Sequence, residues 1–577
     1  MKKLVQINFA QNFGSTGKIA EQIGELALSK GWESYIVSGR QQSDSRSCSL
    51  RINNRFELLW HIFFTHFADL DGRCSYFATK KLIRQLKSIK PDIVHLHVIH
   101  ESFINYPVLF KYLKEEDVPV VWTFHDCWPL TGHCPHFDYI GCEKWKELCK
   151  KCPAKKNYRK LEFFNNATSN HRQKKYYFGS IEDKLTIVPV SKWLGGKVQQ
   201  SYLKNCDIEV IHNGIDINVF KPQEMDVHKR YDIGKEKKII LGVASFWSDM
   251  KGLRDFYQLA AELDPENYAI VIVGAVSEKR QSIEHCCQMV FVDRTQNSLE
   301  LAQLYSSATV FVNPTYQDSY PTTNLEAIAC GTPVVTYNTG GSPEAIDENT
   351  GIIVEQGDVN SLVKAIERLS STSSQVACRK RAEELFDNNK CFNSYITLYN
   401  KLLGGGKIVI MGVASMWGEG KGLMDYIELS SLLPSNYLIV LVGVTKAQKE
   451  VLPHNIIGIE RTQNQHELAQ LYSMADILLS LSKGETFGMT IAEAYGCGTP
   501  CIVYDNTAQP EIVSGNTGRT VKTGDIEALA KEVCDMTNSN FKVTHTNDCR
   551  KFAEDYFDKN KCYEKYIGLY EEMMNRW

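Results

Sequence analysis

The segment Lys238-Ile239-Ile240-Leu241-Gly242-Val243-Ala244-Ser245-Phe246-Trp247 returns, little changed, as Ile408-Val409-Ile410-Met411-Gly412-Val413-Ala414-Ser415-Met416-Trp417. Lys251-Gly252-Leu253 follows the first copy and Lys421-Gly422-Leu423 the second. The parallel continues in the same order through Ile270–Gly274 and Ile439–Gly443, Arg294–Asn297 and Arg461–Asn464, Leu301–Ser306 and Leu468–Ser473, and Cys330–Pro333 and Cys497–Pro500. Each copy runs to about 170 residues, far longer than a solenoid repeat and right for a whole domain. The chain contains a tandem domain duplication.

Within each copy, short apolar runs bounded by glycine alternate with amphipathic stretches such as Ser298–Tyr305. That alternation is the signature of successive βα units on a parallel sheet. Residues ahead of the repeat keep the same rhythm without matching it. Leu4–Ile7, Ser34–Val37, Asp92–Leu96, Val118–Thr123 and Leu185–Val188 are the strand candidates there. The fold class is α/β, with three domains expected at residues 1–210, 211–404 and 405–577. Ile211-His212-Asn213-Gly214-Ile215-Asp216, followed by Lys221-Pro222, is the turn-rich connector between the first two.

Composition narrows the partners. The net charge of -3 offers no basic stripe to neutralise a phosphate backbone, so nucleic acid is a poor partner. No apolar run reaches the roughly 20 residues that cross a bilayer, and no signal h-region opens the chain, so a cytoplasmic location is expected. Most of the eighteen cysteines stand singly in apolar runs, where a reduced thiol acts as a small hydrophobe.

Three features carry chemistry. The loop Asn12-Phe13-Gly14-Ser15-Thr16-Gly17-Lys18 follows the first strand and opens a helix, expected at Ile19, which aims backbone N–H groups at an anion. Lys18 is followed by isoleucine, so the loop is not a phosphate loop of the Walker type, and a tight turn is an equal reading. Each repeat carries two acidic residues eight positions apart at a strand-to-helix junction, Asp318 and Glu326 in the first and Glu485 and Glu493 in the second. Ionised carboxylates are pure acceptors suited to pairs of sugar hydroxyls. A solvated face is the alternative, and the recurrence at one place in both repeats, ahead of Cys-Gly-Thr-Pro, favours a site. Finally, Cys134, Cys142, Cys149 and Cys152 cluster beside His133 and His136 and end in a C-x-x-C pair that suits a structural zinc. The seven-residue first spacing is not standard, leaving reduced packing cysteines or a disulfide as alternatives.

Gly14–Gly17, Thr123–Trp128, Val190–Trp193, Asn213–Asp216, Lys251-Gly252 and Asn313–Thr315 through Gly340–Glu344 together resemble the family 4 retaining glycosyltransferases, most of all the exopolysaccharide and colanic-acid-type transferases. The resemblance covers nearly all of the first 400 residues. It implies a GT-B fold, a Rossmann-like acceptor-side domain followed here by two tandem Rossmann-like donor domains, and retention at the anomeric carbon with no cofactor required. A nucleotide-sugar donor and a glycan or lipid-linked acceptor are the implied partners. The resemblance further implies that Glu326 holds the nucleotide ribose, Asp318 the donor sugar hydroxyls and Lys251 the diphosphate. His125 would touch the sugar, a buried structural histidine being the alternative, and the backbone around Tyr320, Thr322 and Asn324 would cradle the phosphates. Gly14 and Gly17 belong to the donor side of the loop. Many family members carry an arginine five residues before the phosphate-binding lysine. Here those positions are Phe246 and Met416, and Arg294 and Arg461 are the candidates to replace it, against a structural salt bridge.

In the second repeat Lys421, Arg461, Glu485 and Glu493 are the equivalents, and this copy is expected to keep a nucleotide-sugar-like site. It stands as a partner for another chain's first domain, a regulatory module, or an alternative closing partner. A nucleotide-sugar epimerase and a non-catalytic binding scaffold are the competing functions. The aromatic run Phe56–Phe67 is expected to pack in the core, or else to lie on the membrane interface near a lipid-linked acceptor.

Overall fold

The computed structural model describes residues 1–40, 42–52, 55–153, 164–276, 286–371, 374–403, 407–434, 436–539 and 541–575. It divides into two compact units, Met1–Leu403 and Gly404–Trp577. The junction expected between residues 404 and 405 lies outside the described residues.

Unit one holds two parallel sheets. The front sheet comprises β1 (Lys3–Ile7), β2 (Glu33–Ser38), β3 (Cys48–Arg51), β4 (Ile93–Leu96), β5 (Val120–Phe124), β6 (Leu185–Pro189) and β7 (Asp207–Ile208), in the order β3-β2-β1-β4-β5-β6-β7. The apolar runs β4, β5 and β6 are buried along their whole length, as strands covered on both faces must be. β3 and β7 are short and mostly polar, so no apolar run announces them. The opening helix spans Gly14–Ser29, starting at Gly14 instead of the expected Ile19, with Phe13 in extended backbone as its N-cap.

The second sheet comprises β8 (Lys238–Trp247), β9 (Tyr268–Val276), β10 (Gln288–Val292), β11 (Val310–Asn313), β12 (Val334–Tyr337) and β13 (Gly351–Val354), in the order β10-β9-β8-β11-β12-β13. The order reverses between β8 and β11, which opens a crevice at their carboxyl ends. The loops that carry Lys251 and Asp318 meet there. Unit two repeats this order with β14 (Ile408–Val413), β15 (Tyr437–Val442), β16 (Ile456–Ile459), β17 (Ile477–Ser480), β18 (Cys501–Tyr504) and β19 (Gly518–Val521).

The two sheets of unit one are tied by a helix that returns from the second to the first. Asp387 caps it, and over Asn388–Leu402 it buries Phe392, Tyr395, Ile396 and Tyr399 against Leu4, Ile19, Ile23 and Trp32. Its hydroxyls reach the front sheet: Tyr399 bonds His95 Nδ1 at 2.6 Å and Tyr395 bonds Thr123 Oγ1 at 2.9 Å. In unit two the matching helix, Lys559–Asn575, buries none of its residues. Tyr563, Tyr566, Ile567 and Tyr570 stand exposed where unit one has Phe392, Tyr395, Ile396 and Tyr399 buried.

The aromatic helix Arg55–Ala68 departs from the core packing expected of it. Only His61 and Thr65 are buried, and Phe56, Leu59, Trp60 and Phe63 are exposed. Its rings stack on one another instead, Phe63 on Phe67 at 5.5 Å and Trp60 against Phe64 at 4.9 Å. Period alone cannot tell a buried apolar face from a displayed one.

Tyr399→Phe removes the hydroxyl bonded to a buried imidazole and leaves that nitrogen unsatisfied, at a cost of about 1 to 3 kcal/mol. Urea unfolding followed by a probe in unit one should show that loss.

Candidate active site

One rim of the crevice in unit one is built from the loops after β8 and β11 and the helix that follows the second. After β8 the chain makes a single helical turn at Asp249–Lys251, and Gly252 (φ +79°) reverses it. A Cβ on Gly252 would lie 2.2 Å from the Pro314 carbonyl oxygen, so only glycine lets this turn sit against the β11 loop. The approach brings Lys251 Nζ to 2.7 Å from Asp318 Oδ2. The helix Thr322–Ala329 then carries Glu326, whose Oε2 accepts the Tyr305 hydroxyl at 3.0 Å. Burial raises the Glu326 carboxyl to about 7, although the Tyr305 hydroxyl and the Lys18 ammonium favour its ionised form. Lys18 belongs to the opening helix of the front sheet, so that helix faces Glu326.

Of the expected phosphate cradle, Tyr320 is buried and stacks near His212, 4.9 Å between centroids. Thr322 opens the donor helix. Asn324 is different. It is fully buried, accepts from Asn313 Nδ2 at 2.8 Å, and donates its amide to the Ser342 carbonyl and its backbone N–H to Pro321. These bonds join β11 to the Ser342 turn. Arg294 lies at the carboxyl end of the edge strand β10, exposed and outside the Lys251–Asp318 pair, with no ion pair among the described residues. Arg461 takes the same place after β16 in unit two.

Facing this rim is a histidine cluster at the carboxyl ends of β4 and β5. His125 Nε2 lies 3.2 Å from His97 Nδ1, and His97 Nε2 lies 3.0 Å from Gln6 Oε1. Gln6 donates its amide to the Ala20 carbonyl, so its oxygen accepts from His97 Nε2–H. Burial lowers His97 well below the ordinary imidazole value, so its Nδ1 is bare and accepts from His125 Nε2–H. Burial lowers His125 to about 4 as well, so it stands neutral with Nδ1 as its free acceptor. Three residues apart in sequence from His97, His100 has the opposite state. Burial would lower it, but the Asp126 carboxylate at 2.9 Å and Glu101 hold it at about 9. Burial opposes ionisation of Asp126, yet His100, His136 and the Trp128 N–H hold it at about 2.

His136 is the member of the cluster that spacing did not single out as a ligand-facing group. Burial lowers its imidazole, Asp318 and Lys251 lie within electrostatic reach, and its buried Nδ1 has no hydrogen-bond partner among the described residues. Gln6, His97, His100, Lys18 and Tyr305 were also not anticipated as a set. The histidines are signalled by the His-x-His-x-x-His spacing from His95 to His100, Lys18 by the glycine loop and Tyr305 by the repeated segment Leu301–Ser306, whereas Gln6 carries no signal. Gly14 lies at the mouth of the opening helix with open space where a side chain would be. Gly17 packs that helix close to its own loop, where a Cβ would lie 3.2 Å from the Ala10 oxygen.

A latch closes the two rims on each other. The Glu344 carboxylate accepts from Lys192 N at 2.8 Å, Trp193 N at 2.7 Å and His212 Nε2 at 2.9 Å. The first two are orphan N–H groups of the helix Lys192–Gln199, a favoured seat for an anion.

The cysteine cluster lies behind this face. Cys134, Cys142, Cys149 and Cys152 line one small pocket with Phe137 and Trp145. All are free thiols, Gly132 N–H donates to Cys149 Sγ at 3.3 Å, and Cys152 Sγ lies 3.2 Å from His133 Nε2. Among the described residues no group of three or more His, Cys, Asp or Glu side chains is arranged to hold a metal ion. The thiols lie together and take part in packing and local hydrogen bonds, with Cys134 hydrogen-bonded to Cys152.

Three family models match along the chain. Residues 20–219 match Glycosyltransferase Family 4, and residues 237–372 and 402–555 each match Glycosyl transferases group 1. The chain belongs to these glycosyltransferases. The enzyme is similar to the putative colanic acid biosynthesis glycosyl transferase WcaC of Escherichia coli K12, 22% identical over 434 residues that cover 69% of this chain and 100% of the relative. It is 25% identical over 236 residues to the capsular polysaccharide biosynthesis glycosyltransferase CapM of Staphylococcus aureus, covering 38% of this chain and 62% of that protein. Among solved structures, sucrose-phosphate synthase from Thermosynechococcus elongatus aligns with a TM-score of 0.51 and 17% identity, over 70% of this chain and 99% of that one. The glycosyltransferase has the GT-B fold, and its sheets are the Rossmann-like units expected.

The titration states set the enzyme's pH response. The His100 contribution is complete below about pH 6.5, the unfolded value, and is lost as pH rises through about 9. Asp126 contributes above about pH 4 and loses that only as pH falls toward 2. Asp126→Asn should therefore destabilise unit one by about 3 kcal/mol at pH 6 and by much less at pH 9.5. Thermal unfolding of both proteins across that range is the measurement.

Proposed function

We propose that unit one transfers a sugar from a nucleotide-sugar donor to a glycan or lipid-linked acceptor, with retention of anomeric configuration, in the synthesis of a surface polysaccharide. The observation that carries this reading is the opposition of two chemistries across one cleft. On one rim a lysine and two carboxylates, Lys251, Asp318 and Glu326, offer a cation for a diphosphate and acceptors for hydroxyls. On the other, neutral His125 offers a fixed acceptor nitrogen. Charge grows on the leaving diphosphate as the glycosidic bond breaks, and a positioned ammonium stabilises that charge more than it stabilises the ground state. Similarity to proteins named for colanic acid and capsular polysaccharide synthesis supports the pathway class.

Release of nucleoside diphosphate from a panel of nucleotide sugars tests the reading. Lys251→Ala and Glu326→Ala should each lower kcat/KM by about 100-fold or more. Full activity in both, or an inverted product anomer by NMR, would overturn it. Hydroxyl donors of a bound ribose favour ionised Glu326, so donor affinity should be full above about pH 7 and weaken below it. Glu326→Gln should flatten that part of the profile.

The setting proposed for this reaction is the cytoplasmic face of a membrane. Among the described residues no helix is long and apolar enough to cross one. The exposed rings of Phe56, Trp60 and Phe63 on one helix and Phe77 on the next stand beside exposed Arg55, Lys80, Lys81 and Arg84. Apolar rings flanked by cations suit an anionic lipid interface. Trp60→Glu and Phe63→Glu should each lower partition onto anionic liposomes by about tenfold, since burying one such ring is worth about 1.5 to 3 kcal/mol. Unchanged partition would remove the membrane from the account.

A further inference from the structure

We propose that unit two is a second, separate nucleoside-diphosphate site that binds its ligand without transferring sugar. The proposal rests on the reading of unit one as the donor-binding side of the transferase.

The equipment of the first site recurs at matched geometry. Lys421 Nζ lies 2.7 Å from Glu485 Oε2, as Lys251 does from Asp318. The Tyr472 hydroxyl donates to Glu493 Oε2 at 2.8 Å, as Tyr305 does to Glu326. Gly422 (φ +73°) turns the lysine loop as Gly252 does and abuts the Leu481 carbonyl oxygen where Gly252 abuts Pro314. The lysine and carboxylate of the pair are 39% and 23% exposed in unit two, against 37% and 22% in unit one. An ion pair so exposed contributes little to folding. The fold of unit two does not depend on it, and its recurrence at the rim of the crevice is accounted for by a ligand. Glu485 reaches one methylene further than Asp318, which alters the sugar-side contact and leaves the cation and Glu493 in place for the diphosphate and ribose.

The devices that close the first site do not recur. Gly341 sits between the Ser319 carbonyl oxygen, 2.0 Å from where a Cβ would lie, and Ser191 of the front domain, 2.9 Å from it, and the matching residue in unit two is Ala508. Glu344, the latch, is matched by an exposed Glu511. The return helix is matched by Lys559–Asn575 with its apolar face bare. Within unit two the described residues form one sheet, with no histidine wall facing the crevice. A site that carries the cation and acceptors but no wall within its own unit holds a nucleoside diphosphate and does not itself orient an acceptor hydroxyl for attack.

Calorimetric titration of the full chain with UDP, GDP and ADP in separate runs tests this. Two equivalents per chain are expected for the diphosphate that binds. Lys421→Ala, which truncates an exposed side chain and should leave the melting temperature unchanged, and Glu493→Ala should each leave one equivalent. Glu326→Ala should also leave one, with nucleotide-sugar turnover down about 100-fold. One equivalent in the parent protein, abolished by Glu326→Ala and untouched by Lys421→Ala, overturns the second site. Turnover retained at about half in Glu326→Ala overturns the claim that unit two does not transfer. One equivalent lost only in Lys421→Ala sinks the reading of unit one and leaves the second site standing, while binding of none of the three sinks both.

Discussion

Everything that makes a cleft of unit one passes through the Glu344 carboxylate and the helix Asn388–Leu402. The carboxylate comes from the second sheet and seats on two orphan backbone N–H groups of a front-domain helix, with His212 completing it. Burial would raise Glu344, but these three donors hold it below the usual carboxylate range. A single anion therefore fixes where the donor rim stands relative to the front sheet. The helix does the same from behind by burying Phe392, Tyr395, Ile396 and Tyr399 on the front sheet, where apolar area supplies the energy and two tyrosine hydroxyls set the register.

Given that frame, the chemistry of the two rims is an outcome of burial. The histidines at the ends of β4 and β5 differ by a few ångströms and one carboxylate, yet they are driven apart in charge. Burial keeps His95, His97 and His125 neutral, in His125 against the pull of Asp126, whereas His100 is cationic because Asp126 and Glu101 pair with it directly. The neutral chain from Gln6 through His97 leaves His125 with one tautomer, its Nδ1 the free acceptor. Across the cleft, Lys251 and Glu326 present the reverse arrangement, a fixed cation beside a carboxyl poised near neutrality.

Unit two shows what remains when the frame is left out. Its sheet order, its lysine turn and its tyrosine-bound glutamate match unit one, because those features are local to the strands β14, β17 and their loops. The latch and the buried return helix act on a second sheet, and the described residues of unit two form one sheet.

By itself the sequence determined the duplication, the α/β class, the main strands of each sheet and the paired Lys251/Asp318/Glu326 and Lys421/Glu485/Glu493 sets, since apolar period, glycine turns and repeated spacing are properties of short segments. Short edge strands such as β3 and β7 escaped it, having too few residues for a period. Tertiary structure alone decided that Asn324 is buried between β11 and the Ser342 turn, that the four clustered cysteines share one pocket with Phe137 and Trp145, and that Phe56, Trp60 and Phe63 face outward. It also decided that His97 and Gln6 fix the state of His125. Each of these depends on which atoms approach from distant parts of the chain, and hydrogen-bond saturation and desolvation are set by those neighbours and not by the order of residues along one strand.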